Sequence, residues 1–173
     1  MSDVKGKKFD PRPGGGGPMD SLSFLLSQLG FIASRRFHEA LAPLGIEPRH
    51  FLLLRFVAAD EGRSQQALGD MLRIPPSRMV ALVDQLEQRG LLERRPNPND
   101  RRARALHVTP DGRRLMGKAL QRALQHESSV GTSLSAAERQ QLVALLHKVA
   151  AEMHLLSGVH PGLASDSDNP HDG

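Results

Sequence analysis

The chain contains no cysteine, no tryptophan and no tyrosine, and phenylalanine alone supplies its 3% aromatic content. Without cysteine there is no disulfide, no thiolate metal site, no iron–sulfur cluster and no thiol-based redox sensing. With so few rings, the core must be built from leucine, valine, alanine and methionine. Long hydrophobic runs are missing too. No stretch approaches the roughly 18 consecutive apolar residues that cross a bilayer, and the basic residues Lys5, Lys7 and Lys8 precede no apolar segment of the kind a signal peptide carries. The expectation is a cytoplasmic protein without a membrane partner. The sequence signatures of hydrolases, nucleotide-binding enzymes and metalloproteases are also absent. The glycine run Gly14–Gly17 leads into Pro18 rather than into a phosphate-binding helix, so neither catalysis nor a cofactor is expected.

A chain of 173 residues with 39% hydrophobic and 24% charged residues has the composition of a globular protein. Its charge is unevenly placed. Residues 1–18 carry net +2 and residues 159–173 net −3, leaving +5 for the middle. Within that middle, Arg94, Arg95, Arg101, Arg102 and Arg104 face a single acid, Asp100. A focused patch of this kind suits a polyanion.

The Pro- and Gly-rich residues 1–18 read as a flexible tail, and the acidic residues 159–173 read the same way. Between them the spacing predicts a mainly α body. A first helix is capped at Asp20, carries Leu22, Leu25, Leu26, Leu29, Ile32, Phe37 and Leu41 at helical period, and ends at Gly45. A second opens at Pro48 and is apolar nearly all round through Val57. Ser64 caps a short third helix through Leu72, with Ala67, Leu68 and Met71 facing inward. Pro75 and Pro76 begin a fourth, whose inner stripe is Met79, Leu82, Val83 and Leu86 before the stop at Gly90. Two short strands, Leu91–Arg94 and Arg104–Val108, then flank the tip Pro96–Asp100. Thr109 and Pro110 open a fifth helix, and Ser135 with Glu138 makes a capping box for a sixth that runs to Leu156.

Helices three and four make a helix-turn-helix and the hairpin makes its wing. The fold class is therefore mainly α with a small β-hairpin wing. Residues 47–108 form a winged helix-turn-helix DNA-binding domain, and residues 19–46 and 109–158 form a helical dimerisation region. Helices one, five and six have apolar stripes too long for a small winged domain to cover, so a homodimer is expected.

In a helix-turn-helix the second helix presents its first turn to base edges, which selects Pro76, Ser77 and Arg78. Arg78 is the only long donor there and can reach a guanine edge or a phosphate. Ser64, Gln65 and Gln66, at a helix start, can donate to a phosphate. At the tip, Asp100 can hold a neighbouring guanidinium, and Arg102 is the candidate for minor-groove insertion. Arg94, Arg95, Arg101 and Arg104 are expected to meet phosphates. Double-stranded DNA is the expected partner. The alternatives are a helical dimeric ligand- or protein-binding module whose basic hairpin meets an acidic partner, and an architectural DNA-coating protein.

Three runs carry a family resemblance: Ser64–Leu68, Met79–Arg94, and above all Asn97–Arg102 followed by Leu106–Gly112. They resemble the MarR family of winged-helix transcriptional regulators over roughly residues 20–158. The Asp-Arg-Arg wing followed by a Leu-Thr-x-x-Gly-like turn is the specific part. The resemblance implies a ligand-responsive regulator, more often a repressor, that works as a homodimer on a palindromic operator and is released by a small aromatic or carboxylic acid seated between the dimer helices and the winged lobe. Many members have Thr-Arg in the middle of the recognition helix, where this chain has Val80 and Ala81. The hydroperoxide-sensing members need a cysteine that aligns with Gly30 here, and the urate-responsive branch needs a tryptophan; this chain has neither.

For an effector, Arg35, His38, Arg49, His50 and Arg55 near the junction of the first two helices can meet a carboxylate, and Phe31 can pack on a ring. The eight histidines suggest no metal site, because His38 beside Glu39, His126 beside Glu127, and His147 two turns from His154 are poorly spaced for chelation on one helix.

Overall fold

The computed structural model describes residues 21–97 and 100–164, with the side chains of 100–103 outside the described set. The elements are helices α1 (Leu22–Leu41), α2 (Pro48–Ala59), α3 (Gln65–Leu72) and α4 (Pro76–Gln88), strands β1 (Leu92–Asn97) and β2 (Asp100–Val108), and helices α5 (Pro110–Ser129) and α6 (Ala136–Glu152). Short 3-10 turns follow α1 at Ala42–Leu44 and α6 at Pro161–Leu163.

Local chemistry sets the helix starts. The α1 cap is Ser21, one residue later than expected; its hydroxyl accepts from the N–H of Phe24. Ser64 accepts from Ala67 at 3.2 Å, Thr109 from Gly112 at 3.0 Å, and Ser135 forms the expected box with Glu138. α2 uses a pair the sequence did not announce. Glu47 accepts from the first turn, while the N–H of Glu47 donates to His50 Nδ1 at 3.3 Å. After α1 the chain reverses at Gly45, whose φ of +64° suits glycine. α6 stops at Glu152, four residues short of the expected end.

The core lies in the winged lobe. α2 buries Phe51, Leu53, Leu54 and Val57, α4 buries Met79, Leu82, Val83 and Leu86, and the hairpin base adds Leu92, Leu106 and Val108. In α3 the buried face is Leu68, Gly69 and Leu72; Met71, expected to face inward, is 42% exposed. β1 and β2 pair antiparallel from Leu92 opposite Val108 to Asn97 opposite Asp100, with an irregularity at Pro96/Asn97, so both strands are longer than expected. Before α3, Gly62 donates to Leu106 and Leu106 donates to Arg63, each at 3.0 Å, which adds a third edge to the wing.

α5 leaves the wing with no slack. Thr109 N–H donates to Leu91 O and its hydroxyl to Gly90 O at 2.6 Å. A Cβ added at Gly112 would lie 2.1 Å from Leu91 O and 2.8 Å from Val108 Cγ1, so only glycine allows this approach. The acidic tail does not begin at residue 159. Residues Pro161–Leu163 turn back against α2, and Leu163 is 1% exposed in the core.

The helical ends contrast with this lobe. α6 has no buried residue, although Leu142, Val143, Leu145 and Leu146 are 37–50% exposed, and Leu22, Leu29 and Leu124 exceed 60%. These side chains have the periodicity of a core and no cover among the described residues.

Candidate nucleic-acid interface

α3 and α4 meet through a tight turn in which Arg73 is left-handed at φ +55° and Ile74 N–H reaches back to Gly69 O at 2.9 Å. α4 then starts with Pro76 at its first position, its N-cap Pro75 offering no side-chain hydrogen bond. The N-cap side chain therefore covers none of the first turn of α4, and a phosphate oxygen suits such a helix start. Pro76 and Ser77 are exposed and Arg78 is half-buried. One turn on, Val80 is 44% exposed beside exposed Ala81. The recognition surface is thus largely apolar, which favours contact with a thymine methyl over hydrogen bonding to base edges. A groove of about 270 Å³ between α3 and α4 is lined by Gln65, Gln66, Asp70, Ile74, Pro76 and Val80. Ser64 accepts from Ala67 at its cap, and its hydroxyl hydrogen stays available to donate to a phosphate.

The wing's arginines do not behave alike. Arg94, expected at a phosphate, turns inward: NH2 donates to Asp84 Oδ1 at 2.5 Å, NH1 reaches Glu87 Oε2, and Nε and NH2 both donate to Gln65 Oε1 at 3.2 and 3.0 Å. Its backbone N–H also donates to Glu87 Oε1 at 3.1 Å. The next residue, Arg95, pairs with Glu93 at 2.5 Å on an exposed surface. Summing charges along the sequence thus overstated the positive field of the hairpin, because two of its five arginines are matched by carboxylates of α4 and β1. Arg104 is exposed. The tip residues Pro98 and Asn99 and the side chains of Asp100, Arg101 and Arg102 lie outside the described residues, and with them the expected roles of Asp100 as positioner and Arg102 as groove probe.

Glu61, missed in the sequence, anchors the wing's base. It accepts from Val108 N–H at 3.0 Å and from Arg113 at 2.8 Å, with His107 Nδ1 at 4.0 Å. Partial burial pushes its carboxyl up, but the Val108 amide, the Arg113 guanidinium and His107 together outweigh it and hold it below the usual carboxylate range.

Of the effector candidates, His50 is withdrawn from that role by its neighbours. It is buried, its Nδ1 accepts from Glu47, and its Nε2 lies 2.8 Å from Gln85 Oε1, so both ring nitrogens are engaged within the fold. Burial lowers its pKa, with Gln85 and Glu47 pulling part of the way back. Arg49 pairs with Glu47 at 2.8 Å, Arg35 with Glu39 at 3.9 Å on the surface, and Arg55 lies 5.8 Å from the Phe51 ring centroid. His38 is exposed and Phe31 is 39% exposed on α1. Pattern reading also passed over a ring stack. Phe37 of α1 meets Phe51 of α2 edge-on at 6.2 Å and His126 of α5 at 5.5 Å. His126 Nε2 is buried there without a hydrogen-bond partner among the described residues.

A signal for the Arg94 network was present. Asp84 and Glu87 stand one turn apart on a helix meant to approach a polyanion, where carboxylates are out of place unless something neutralises them.

A helix pair joined by a tight turn, an uncapped second helix and a hairpin packed on its flank define a winged helix-turn-helix DNA-binding protein. The MarR family model matches residues 44–103. The chain is 33% identical over 129 residues to a putative transcriptional regulatory protein for the hcr operon of Thauera aromatica, covering 74% of this chain and 78% of that protein. Two solved structures of the repressor CouR match with 30–31% identity over 78% of this chain: one on a 23-mer DNA duplex, with TM-score 0.70 over 96% of that chain, and one from Rhodococcus jostii RHA1 bound to p-coumaroyl-CoA, with TM-score 0.64 over 95% of that chain. The chain belongs to the MarR family of transcriptional regulators. No helix among the described residues is long and apolar enough to cross a membrane.

Proposed function

We propose that this regulator is a repressor that binds a palindromic operator as a homodimer and lets go when a small aromatic or carboxylic acid binds. The observation that carries the reading is the uncapped start of α4 beside the wing, in a chain that superposes with TM-score 0.70 on a repressor held on a DNA duplex. The uncovered apolar faces of α1, α5 and α6 support the homodimer. A place in the cytoplasm and the lack of catalysis belong to the same reading.

Replacing Arg102 by Ala tests it. Operator affinity is expected to fall several-fold or more without loss of the folded dimer, and the log–log salt slope to fall by about 0.9, the share of one phosphate neutralised. Unchanged affinity in a gel shift with excess competitor DNA would remove the wing from the interface.

The effector reading moves away from His50. We place the ligand at the junction of α1, α2 and α5, where His126 Nε2 is buried beside the Phe37 ring without a partner among the described residues and can donate to a carboxylate or phenolate. Thermal-shift screening of small aromatic acids, repeated with operator present, identifies an inducer as a ligand that stabilises the free protein and opposes the complex. A His126→Leu variant that still responds to that acid excludes this placement.

A further inference from the structure

Arg94 sits on β1 of the wing, yet its side chain is only 19% exposed and lies among two carboxylates and an amide. With Asp84 and Glu87 against one guanidinium, Arg94 has no uncompensated charge to offer a phosphate. Its geometry serves another end. Arginine carries donors only, so Gln65, whose side chain meets both Nε and NH2, must turn its carbonyl oxygen toward them. The amide Nε2 of Gln65 is then held on the side away from the guanidinium, with no partner among the described residues, at the first position of α3 and on the rim of the groove between α3 and α4. The same guanidinium joins three elements: α3 through Gln65, α4 through Asp84 and Glu87, and β1 through its own backbone.

We propose that Arg94 is a positioning residue for operator reading: it fixes Gln65 as a hydrogen-bond donor aimed at the DNA and locks the wing to the recognition helix at one relative setting. The proposal rests on the regulator reading above. The acceptor on the DNA is a phosphate oxygen or the N7 of a purine, since both present a lone pair and no proton. A lysine cannot replace Arg94, because its single ammonium cannot span both carboxylates and the amide in one plane.

The test is fluorescence anisotropy across a salt series on a duplex selected from random sequence by the wild-type protein. Failure to select any duplex overturns the regulator reading before a variant is made. Given a selected duplex, Gln65→Ala and Arg94→Met are each expected to weaken binding about tenfold, the loss of one well-placed hydrogen bond. The double variant should be no weaker than the weaker single variant, and Arg94→Met should keep the wild-type salt slope. An Arg94→Met slope reduced by about 0.9, with losses that add in full in the double variant, overturns the proposal and makes Arg94 a phosphate contact. So does a Gln65→Ala variant that binds as the wild type does. Where melting shows Arg94→Met to be unfolded, Arg94→Lys decides. A folded dimer with about tenfold weaker binding at the wild-type slope supports positioning, and wild-type affinity overturns it. Substituting 7-deazapurines one at a time separates the two acceptors. A position that costs the wild type but not Gln65→Ala marks an N7, and an equal loss on unrelated duplexes marks a phosphate.

Discussion

The winged lobe and the helical ends use the same residue types to opposite effect. In the lobe, Leu53 and Leu54 of α2, Leu82 and Leu86 of α4, and Leu92 and Leu106 of the hairpin base are sealed to 2% exposure or less; on α6, leucines at the same helical spacing stay 37–50% exposed. Hydrophobic periodicity reports that a face will be covered, and the structure reports by what. The lobe's cover comes from its own chain. Among the described residues the exposed faces of α1, α5 and α6 have no such cover, which is the observation behind the proposed homodimer.

The largest effect is expected in the lobe. Leu54→Ala removes a fully buried side chain and is expected to cost about 2–5 kcal/mol in urea unfolding at fixed protein concentration, because the surrounding helices cannot collapse onto the gap. A cost near zero would mean the lobe is not the closed core described. On the ends, Leu145→Asp should leave the lobe folded, shift sedimentation from dimer toward the 18.9 kDa single chain, and weaken operator binding by about a hundredfold through lost bivalency. Persistence of the dimer would place the interface elsewhere. Where lobe and ends meet, Gly112→Ala forces a methyl into Leu91 O and should cost about 1–3 kcal/mol, read as a lower Tm. The smallest effect is a pH dependence confined to the lobe. Burial keeps His50 neutral below its ordinary value of 6.5, so the unfolded chain takes up the proton first. Stability is then fully present above that value and falls as pH drops toward the lowered one. Melting curves from about pH 7.5 to about pH 5 should slope more for the wild type than for His50→Gln, and parallel slopes would assign the titration to another group.

Much of the fold was readable because its determinants are local. Ser64, Thr109 and Ser135 cap the helices predicted for them, since a cap needs only the three residues that follow. The inner stripe of α4 was readable because thirteen residues fix a helical phase. α3 has eight, too few to settle whether Met71 or Leu72 faces inward, and Leu72 does. Leu163 is a lone leucine in a polar segment, so no periodicity could announce that it is buried. The site was harder to read, because Arg94 finds Gln65 on α3 and Asp84 and Glu87 on α4, at sequence distances from 7 to 29. Its charge was visible in the sequence and its direction was not. His50 misled for the same reason: its partner Gln85 lies 35 residues away.

The close approach at Gly112 also has a meaning in base pairs. One residue, Thr109, separates the end of β2 from the start of α5, and hydrogen bonds from Thr109 to Leu91 and Gly90 leave that junction no freedom to pivot. In a homodimer the distance between the two wings is then set by the α5 helices. Operator half-sites fall about 10 base pairs apart, or at a multiple of that spacing, only when protein and DNA share one period. For the homodimer proposed above, the half-site spacing would accordingly be tied to the direction of α5, which the missing side chain of Gly112 allows.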